Sequence, residues 1–594
     1  MIICPKCNKE LEDGTQVCDA CGEILSAPEA APEAAKPAFN VKKLAVIGIA
    51  AVAVIILAIF IGSLIFGGGS PDYALYIKDG EMVFANNFKK PYEVTDELAD
   101  GAENSQLASI AGSLSYYTYL TDDGKKLFYI DEGDNLYYRD ATNAKAEPKK
   151  LASGVSDRFM VNEKGTIVTY IKDGSLYQHD LKEQTKIKGD VDYFIASLDG
   201  KKVLFSITDD EEKTDLYLKN GKKDAEKIAS NMEDVLYVNK SFSKIYVLKE
   251  DAVYLKDGSK DLAKICSDVG SVIKFYEDGS FYYVEKEEEK DEDADVEIPT
   301  ETSDKIDRLV EEVTDTLCYF NGKEKKVITT QYYGGRTTCY DKAVLAYSVV
   351  NRSEITDKDY EDGLYGLDEY TEWYIAIEDK AAKVDLDDIY GVRIARNGKV
   401  AYVWTVEKEE KKDDGVDEAD EAPAENEPTA TLYKIKLSDS VGKAEKYDED
   451  VHPSGIGVTS AGNVIYYKDV KDGKGDLYVD KVKIDTDVAL SSYAYLKDSK
   501  KILYFCDMDE KEEKGTLKIA TLKGKSTKVG DDVHDYKITP NEDILFLKDY
   551  KSYKGELHLF TGSKAKKLDD DVVGIIGYTS YTKAVASQYG WIKD

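Results

Sequence analysis

The chain of 594 residues is poor in the side chains that carry most proton-transfer and nucleophilic chemistry: it has 4 His, with 12 Pro, 5 Met and 3 Trp. His179, His452, His534 and His558 stand far apart and none belongs to an H-E-x-x-H pair, which excludes the helical zinc-protease motif. No G-x-S-x-G elbow occurs, nor a glycine loop followed by Lys-Ser or Lys-Thr, so that nucleophile and a P-loop are both missing. Positive charge is also in deficit. Lys and Arg number 80 against 115 Asp and Glu, and the net charge of −35 repels phosphate backbones, so nucleic acid is not expected as a partner. These absences lead to the expectation that the protein is not an enzyme and has neither catalytic nor cofactor-binding residues.

Cysteine is scarce but unevenly placed. Cys4, Cys7, Cys18 and Cys21 form two C-x2-C knuckles, whose thiolates converge from tight turns to complete a tetrahedral Zn²⁺ site. The segment 1–25 resembles the short zinc ribbon at the N-terminus of many bacterial membrane proteins, with Asn8 where that family carries Gly. The resemblance implies a structural zinc held by these four residues, and a redox pair is the alternative. Acidic residues around the ligands suit a cytosolic protein as docking partner better than a nucleic acid. The other cysteines, Cys266, Cys318, Cys339 and Cys506, give no framework; they are either small buried side chains or include a Cys318–Cys339 bridge.

Residues 26–43 are rich in Pro, Ala and Glu and read as a linker. Leu44 to Phe66 is an uncharged apolar run of 23 residues. At about 1.5 Å per helical residue it spans a hydrocarbon core of roughly 30 Å. Lys36, Lys42 and Lys43 precede it and Gly-Gly-Gly-Ser follows, so the expected topology is one transmembrane helix, the N-terminus cytoplasmic and the large domain extracellular.

That domain is written in repeats. Leu-Tyr pairs place Tyr137, Tyr177, Tyr217 and Tyr254 at intervals of 40, 40 and 37 residues, and Tyr433, Tyr478, Lys518 and His558 at 45, 40 and 40. Tyr319 and Tyr374 fit between them, making ten units. Each reads as four short strands with Asp-Gly or Asn-Gly turns, as at Asp199-Gly200 and Asn220-Gly221, expected to be two-residue hairpins. About 40 residues in four strands is one β-propeller blade. SLDGKKVLF with DLYL, and TPNEDILFL with ELHLF, resemble the WD40-like repeats of the TolB family, a fold shared by binders, scaffolds and hydrolases. The segment near Tyr73 looks like the middle of a blade and that after Ile575 like a beginning, so together they complete an eleventh. Rings usually hold four to eight blades. The expected fold is therefore mainly β, a tandem propeller ectodomain with rings at 71–331 and 332–594, one oversized ring being the alternative.

Insertions collect between second and third strands. Two are acidic, and Asp304 to Leu317 is expected to be helical. The insertion 351–372 offers Tyr360, Tyr365 and Tyr370 and runs into Trp373, an aromatic set that can stack on sugars or clasp peptides, or else pack locally. The acidic run from Asp469 to Asp476 only loosely approximates a calcium loop. The functional expectation is a membrane-anchored surface protein that binds or scaffolds a protein or envelope polymer. The alternatives are a propeller hydrolase acting on envelope peptide or glycan, and a sensor coupling ectodomain binding to ribbon docking.

Overall fold

The computed structural model describes residues 2–3, 10–11, 72–95, 103–131, 133–286, 301–339, 341–361, 367–406, 428–509 and 511–592. Met1–Gly68 and Gly69–Asp594 are two compact units. In the first, Ile2–Ile3 pairs antiparallel with Glu10–Leu11. Cys4, Cys7, Cys18 and Cys21, the linker and the 44–66 run lie outside the described residues. Among the described residues no helix is long and apolar enough to cross a membrane, and no three His, Cys, Asp or Glu side chains converge as a metal site.

The second unit is built of antiparallel four-stranded blades. In 193–229 the strands Tyr193–Ala196, Lys202–Thr208, Thr214–Asn220 and Glu226–Ala229 neighbour one another in chain order. Val203, Leu204 and Phe205 are buried in succession because the middle of a blade is covered on both faces by its neighbours. All ten repeat landmarks fall in third strands. Each sits opposite a second-strand residue, as Tyr137 does Tyr129, Tyr217 does Phe205, Tyr478 does Tyr466 and His558 does Phe546. The stacked pairs Phe205–Tyr217 and Tyr466–Tyr478, with ring centroids 5.3 and 5.5 Å apart, hold this register.

The Asp-Gly turns are more varied than expected. At Asp173-Gly174 both residues have positive φ, the two-residue hairpin geometry. At Asp199-Gly200 only the glycine does. There Ser197 Oγ donates to Asp199 at 2.7 Å and Gly200 N donates to Ser197 O at 2.8 Å, closing a longer loop around the aspartate.

Counted from 118, the blades are 118–152, 155–188, 193–229, 234–266, 269–331, 332–383, 389–451, 457–489, 494–532 and 533–571. An eleventh joins the end of Ala565–Ile575 to Tyr73–Lys78, Glu81–Asn86 and Tyr92–Glu93, with Tyr76 opposite Ile575 and Ile77 opposite Gly574. Apolar clusters bridge blades 1 and 2, run continuously from 2 through 5, and then join 5 to 6 and every later pair up to 10 with 11. The last cluster packs blade 11 on blade 1 through Leu75, Phe84, Leu120 and Leu127. The succession is closed. Two rings at 71–331 and 332–594 are therefore not what the chain forms. Tyr332, the expected division, lies inside the unbroken strand Lys325–Thr338, whose first half pairs within blade 5 and whose second half opens blade 6. A strand shared by two blades cannot be a boundary between rings.

A recurring polar latch crosses the later interfaces. Asp485 of blade 8 accepts from Tyr504 Oη at 3.0 Å and Lys518 Nζ at 2.8 Å of blade 9. Asp448 binds Tyr466 and Lys468 in the same way, and Asp569 binds Tyr76 and Lys78, both at 2.6 Å. Between blades 9 and 10 the acceptor position is Gly530 and the donor position is Phe546. A Cβ on Gly530 would come within 2.6 Å of the Phe546 ring, so an aromatic contact replaces the hydrogen bond.

Carboxylates also meet unfavourably. Asp543 lies against Asp72, whose carboxylate accepts from Thr539 Oγ1 at 3.2 Å. Burial, with the Asp72 charge and a shared hydrogen bond, pushes Asp543 up from its ordinary 3.8 to about 6. A folded value above the unfolded one means that the folded state holds the proton longer, so stability falls as pH rises from about 4 to 6 and is flat above. We expect Asp543→Asn to raise the thermal midpoint at pH 7, and the gap from wild type to close near pH 4. A constant gap across that range would disprove the charge account.

Candidate functional site

The described rings of the aromatic insertion, Tyr360, Tyr370 and Trp373, are half-buried. Tyr360 and Tyr370 pack on a small apolar cluster made by Ile306, Val310, Val350, Ile355 and Leu367. Arg352 ties this insertion to the helix Thr302–Val313, donating to Asp307 at 2.5 Å and to Ser303 O at 3.0 Å. The helix ends earlier than the expected Leu317 because Asp315 already opens a strand. Trp373 lies in the strand Thr371–Ile377, its ring over Gly335, where a Cβ would approach to 2.8 Å. Tyr365 lies outside the described residues. One side of each described ring thus packs locally and the other remains accessible.

The concave site is the centre of the ring. A cavity of about 1530 Å³ is walled by the first strands of blades 3 to 8 and, on the other side, by the segment Ser587–Ile592. Its lining mixes Tyr237, Lys274, Thr338, Arg396, Gln588 and Tyr589. Lys274 reaches it through a bulge. In the strand Val269–Phe275 the register shifts between Val272 and Lys274, so the alternation of faces breaks and Lys274 lines the cavity. Burial lowers its proton affinity below the ordinary lysine value, and the Arg396 guanidinium adds to the effect. Arg396 itself is 3.8 Å from Asp341, and its carbonyl accepts from Cys339 Sγ at 2.8 Å. Lys274 and Arg396 stand there among the carboxylates of Glu233, Asp234, Glu277, Asp278 and Asp341, a wall of mixed charge that can hold polar groups of either sign, and a half-buried lysine with lowered proton affinity can act as a base.

The histidines stay outside this cavity. His179 Nδ1 accepts from Leu181 N at 2.9 Å, His452 Nδ1 from Ser454 N at 3.2 Å, and His534 stacks on Tyr550 with centroids 4.2 Å apart. His558 bonds Glu556 at 2.9 Å and stacks on Phe546, which is the third-strand packing role. Cys266, Cys318, Cys339 and Cys506 are free and buried, so no Cys318–Cys339 bridge exists. In the acidic run that loosely approximates a calcium loop, Asp476 is held by Lys483. Sequence reasoning missed Lys274 and Arg396. The alternation VGSVIKF reads as an ordinary strand, and nothing in it announces the extra residue that turns the lysine inward.

No family model matches the chain, and no curated protein matches it in sequence. Similar solved structures include a eukaryotic initiation factor at 10% identity and TM-score 0.33, aligned over 68% of this chain and 96% of that one. A tricorn protease is similar at 11% and 0.25, over 88% of this chain and 62% of its own. Oligogalacturonate lyase from Vibrio parahaemolyticus is similar at 12% and 0.24, over 67% and 94%. At such scores none of them carries a function across. They do correct one expectation. The absence of motif histidines and elbows led to the expectation of no enzyme, yet two of these three similar structures are enzymes, a protease and a lyase. The expectation that this chain is not an enzyme is withdrawn.

Proposed function

We propose that the chain is a membrane-anchored cell-surface protein whose exported ring takes a segment of an envelope polymer, peptide or glycan, into its central cavity. The observation supporting this is the cavity of about 1530 Å³, in which Lys274 and Arg396 stand among the carboxylates of Glu233, Asp234, Glu277, Asp278 and Asp341. A polar pocket of that size, deep in a rigid ring, suits an extended chain bearing hydrogen-bonding and anionic groups. In this reading residues 44–66 cross the membrane and Cys4, Cys7, Cys18 and Cys21 hold a structural zinc on the cytoplasmic side.

The full chain in detergent, titrated with acidic oligopeptides and with uronate-containing oligosaccharides, is expected to bind one of the two classes. Lys274→Met and Arg396→Met should each weaken that binding at least tenfold. Unchanged affinity in both variants would refute the cavity as the site. Metal analysis of the same preparation should return one zinc per chain, lost in Cys18→Ser.

A second reading, favoured by the lowered proton affinity of Lys274, is that the cavity cleaves the polymer as a hydrolase, with Lys274 as general base. Its rate would rise with pH through a value below 10.5, the ordinary lysine figure. Lys274→Met would abolish product formation, read by mass spectrometry. Cleavage that persists in that variant would exclude this role.

A further inference from the structure

An eleven-blade ring is wider than the usual four to eight blades, and part of its interior is filled by the chain itself. After the closing strand the chain turns inward. Tyr578 Oη donates to Tyr73 O at 2.6 Å, and the helix Tyr581–Gln588 follows, capped by Ser580, whose side chain accepts from Lys583 N. Thr582 Oγ1 accepts from Val161 N of blade 2 at 3.1 Å, in a buried contact. Tyr193 of blade 3 and Tyr581 both pack on the apolar cluster that contains Tyr589. Trp591 then reaches blade 4. Its indole N–H donates to Val238 O at 2.7 Å, its ring lies 5.3 Å from Phe242 and 5.7 Å from Tyr589, and 6% of it is exposed.

This is how a peptide ligand is held. One aromatic anchor fills an apolar socket and its one polar atom meets a main-chain carbonyl, while Val585 and Ala586 add apolar contact. The opposite edge, Ser587, Gln588 and Gly590, faces the cavity. An eight-residue helix is unstable by itself in water, so the segment depends on its contacts with the ring, Trp591 above all.

We infer that the inner wall of blades 2 to 4 is a peptide-binding site, with residues 580–592 as its resident ligand and an indole-bearing segment as the chemical class it takes. A competing peptide with the same anchor displaces the resident and opens that wall to the cavity. The inference stands on the segment's own contacts and does not require the cavity ligand proposed above.

The probe is a fluorescent synthetic peptide of residues 578–592, together with the same peptide carrying Ala at the Trp591 position. Two variants of the full chain are compared with wild type: Trp591→Ala, and a chain ending at Thr579. The wild-type peptide is expected to bind either variant one to one, at least tenfold more tightly than it binds the wild-type chain. It should restore slow hydrogen exchange at the Val161 amide, and the Ala peptide should do neither. Equal binding to wild type and variants would place the contact elsewhere and overturn the inference. So would unaltered protection of Val161 in Trp591→Ala, because the anchor would then not be holding the segment. If the shortened chain fails to fold, the Trp591→Ala chain decides between these outcomes alone.

Discussion

Asp569→Ala should lower the stability of the ring by about 3 kcal/mol, because the residue ties blade 10 to blade 11 at the ring's closure with a charge and a hydrogen bond at once. Its carboxylate receives Tyr76 Oη, Lys78 Nζ and the Asp570 amide, the last at 2.9 Å. Only about a fifth of the side chains of Lys78 and Asp569 is exposed, 25% and 19%, so removing the acceptor leaves a phenol and an ammonium poorly solvated. Although burial pushes the other way, the Lys78 and Tyr76 bonds hold Asp569 below the ordinary carboxylate range. A depressed folded value contributes stability above the unfolded value, near 3.8, and loses it as pH falls through the folded one. The variant should therefore differ from wild type at pH 7 and approach it in strong acid. Tyr76→Phe should cost about 1 kcal/mol. A double-mutant cycle in which the Asp569 and Tyr76 effects simply add would show that the latch is not one unit.

The second large effect is expected at Tyr282, the tyrosine that ties blade 5 to blade 6. It is fully buried, its hydroxyl donates to Ala343 O at 3.1 Å and Glu378 O at 2.9 Å, and its ring meets Tyr319 at 4.9 Å. Tyr282→Ala leaves a cavity and takes the donor from Glu378 O, while Ala343 O keeps the Glu378 amide, at about 4 kcal/mol. Tyr282→Phe keeps the ring and should cost about 1 kcal/mol. The shape of the transition matters as much as its midpoint. In one closed succession of blades, Tyr282→Ala lowers a shared calorimetric transition. Two rings joined at this point would instead leave one half melting as in wild type, and that result would contradict the closed ring.

Much of the fold was legible in the chain. Leu-Tyr pairs marked the third strands at Tyr137, Tyr177, Tyr217, Tyr433 and Tyr478, the tyrosine lying against the second strand, and spacing placed the others, Lys518 and His558 among them. The half-blades at Tyr73 and Ile575 announced their own union. How many rings there are was not legible, because strand count says nothing about which faces pack, and the long strand Lys325–Thr338 hides the passage from blade 5 to blade 6. The polar latch could have been found by aligning K-V-K-I-D-T-D-V, K-S-T-K-V-G-D-D-V and K-K-L-D-D-D-V: the Asp that becomes Gly530 coincides with the Tyr that becomes Phe546 one blade later. The site was harder to see. Tyr360 and Tyr370 advertise themselves in sequence but find apolar partners from the distant helix Thr302–Val313, while Lys274 is concealed by a single extra residue in its strand.

The seam has a consequence for how the molecule is made. Tyr76 and Asp569 are 493 positions apart, so the strand Tyr73–Lys78 emerges from synthesis among the first of the ring and waits for nearly all the rest before its partner exists. Throughout that interval it offers an apolar, hydrogen-bonding edge to any other strand nearby, a hazard for aggregation and for exchange between two nascent copies. Completion of the ring is thus a single late event, timed by the arrival of Val572 to Ile575 rather than by the folding of any one blade.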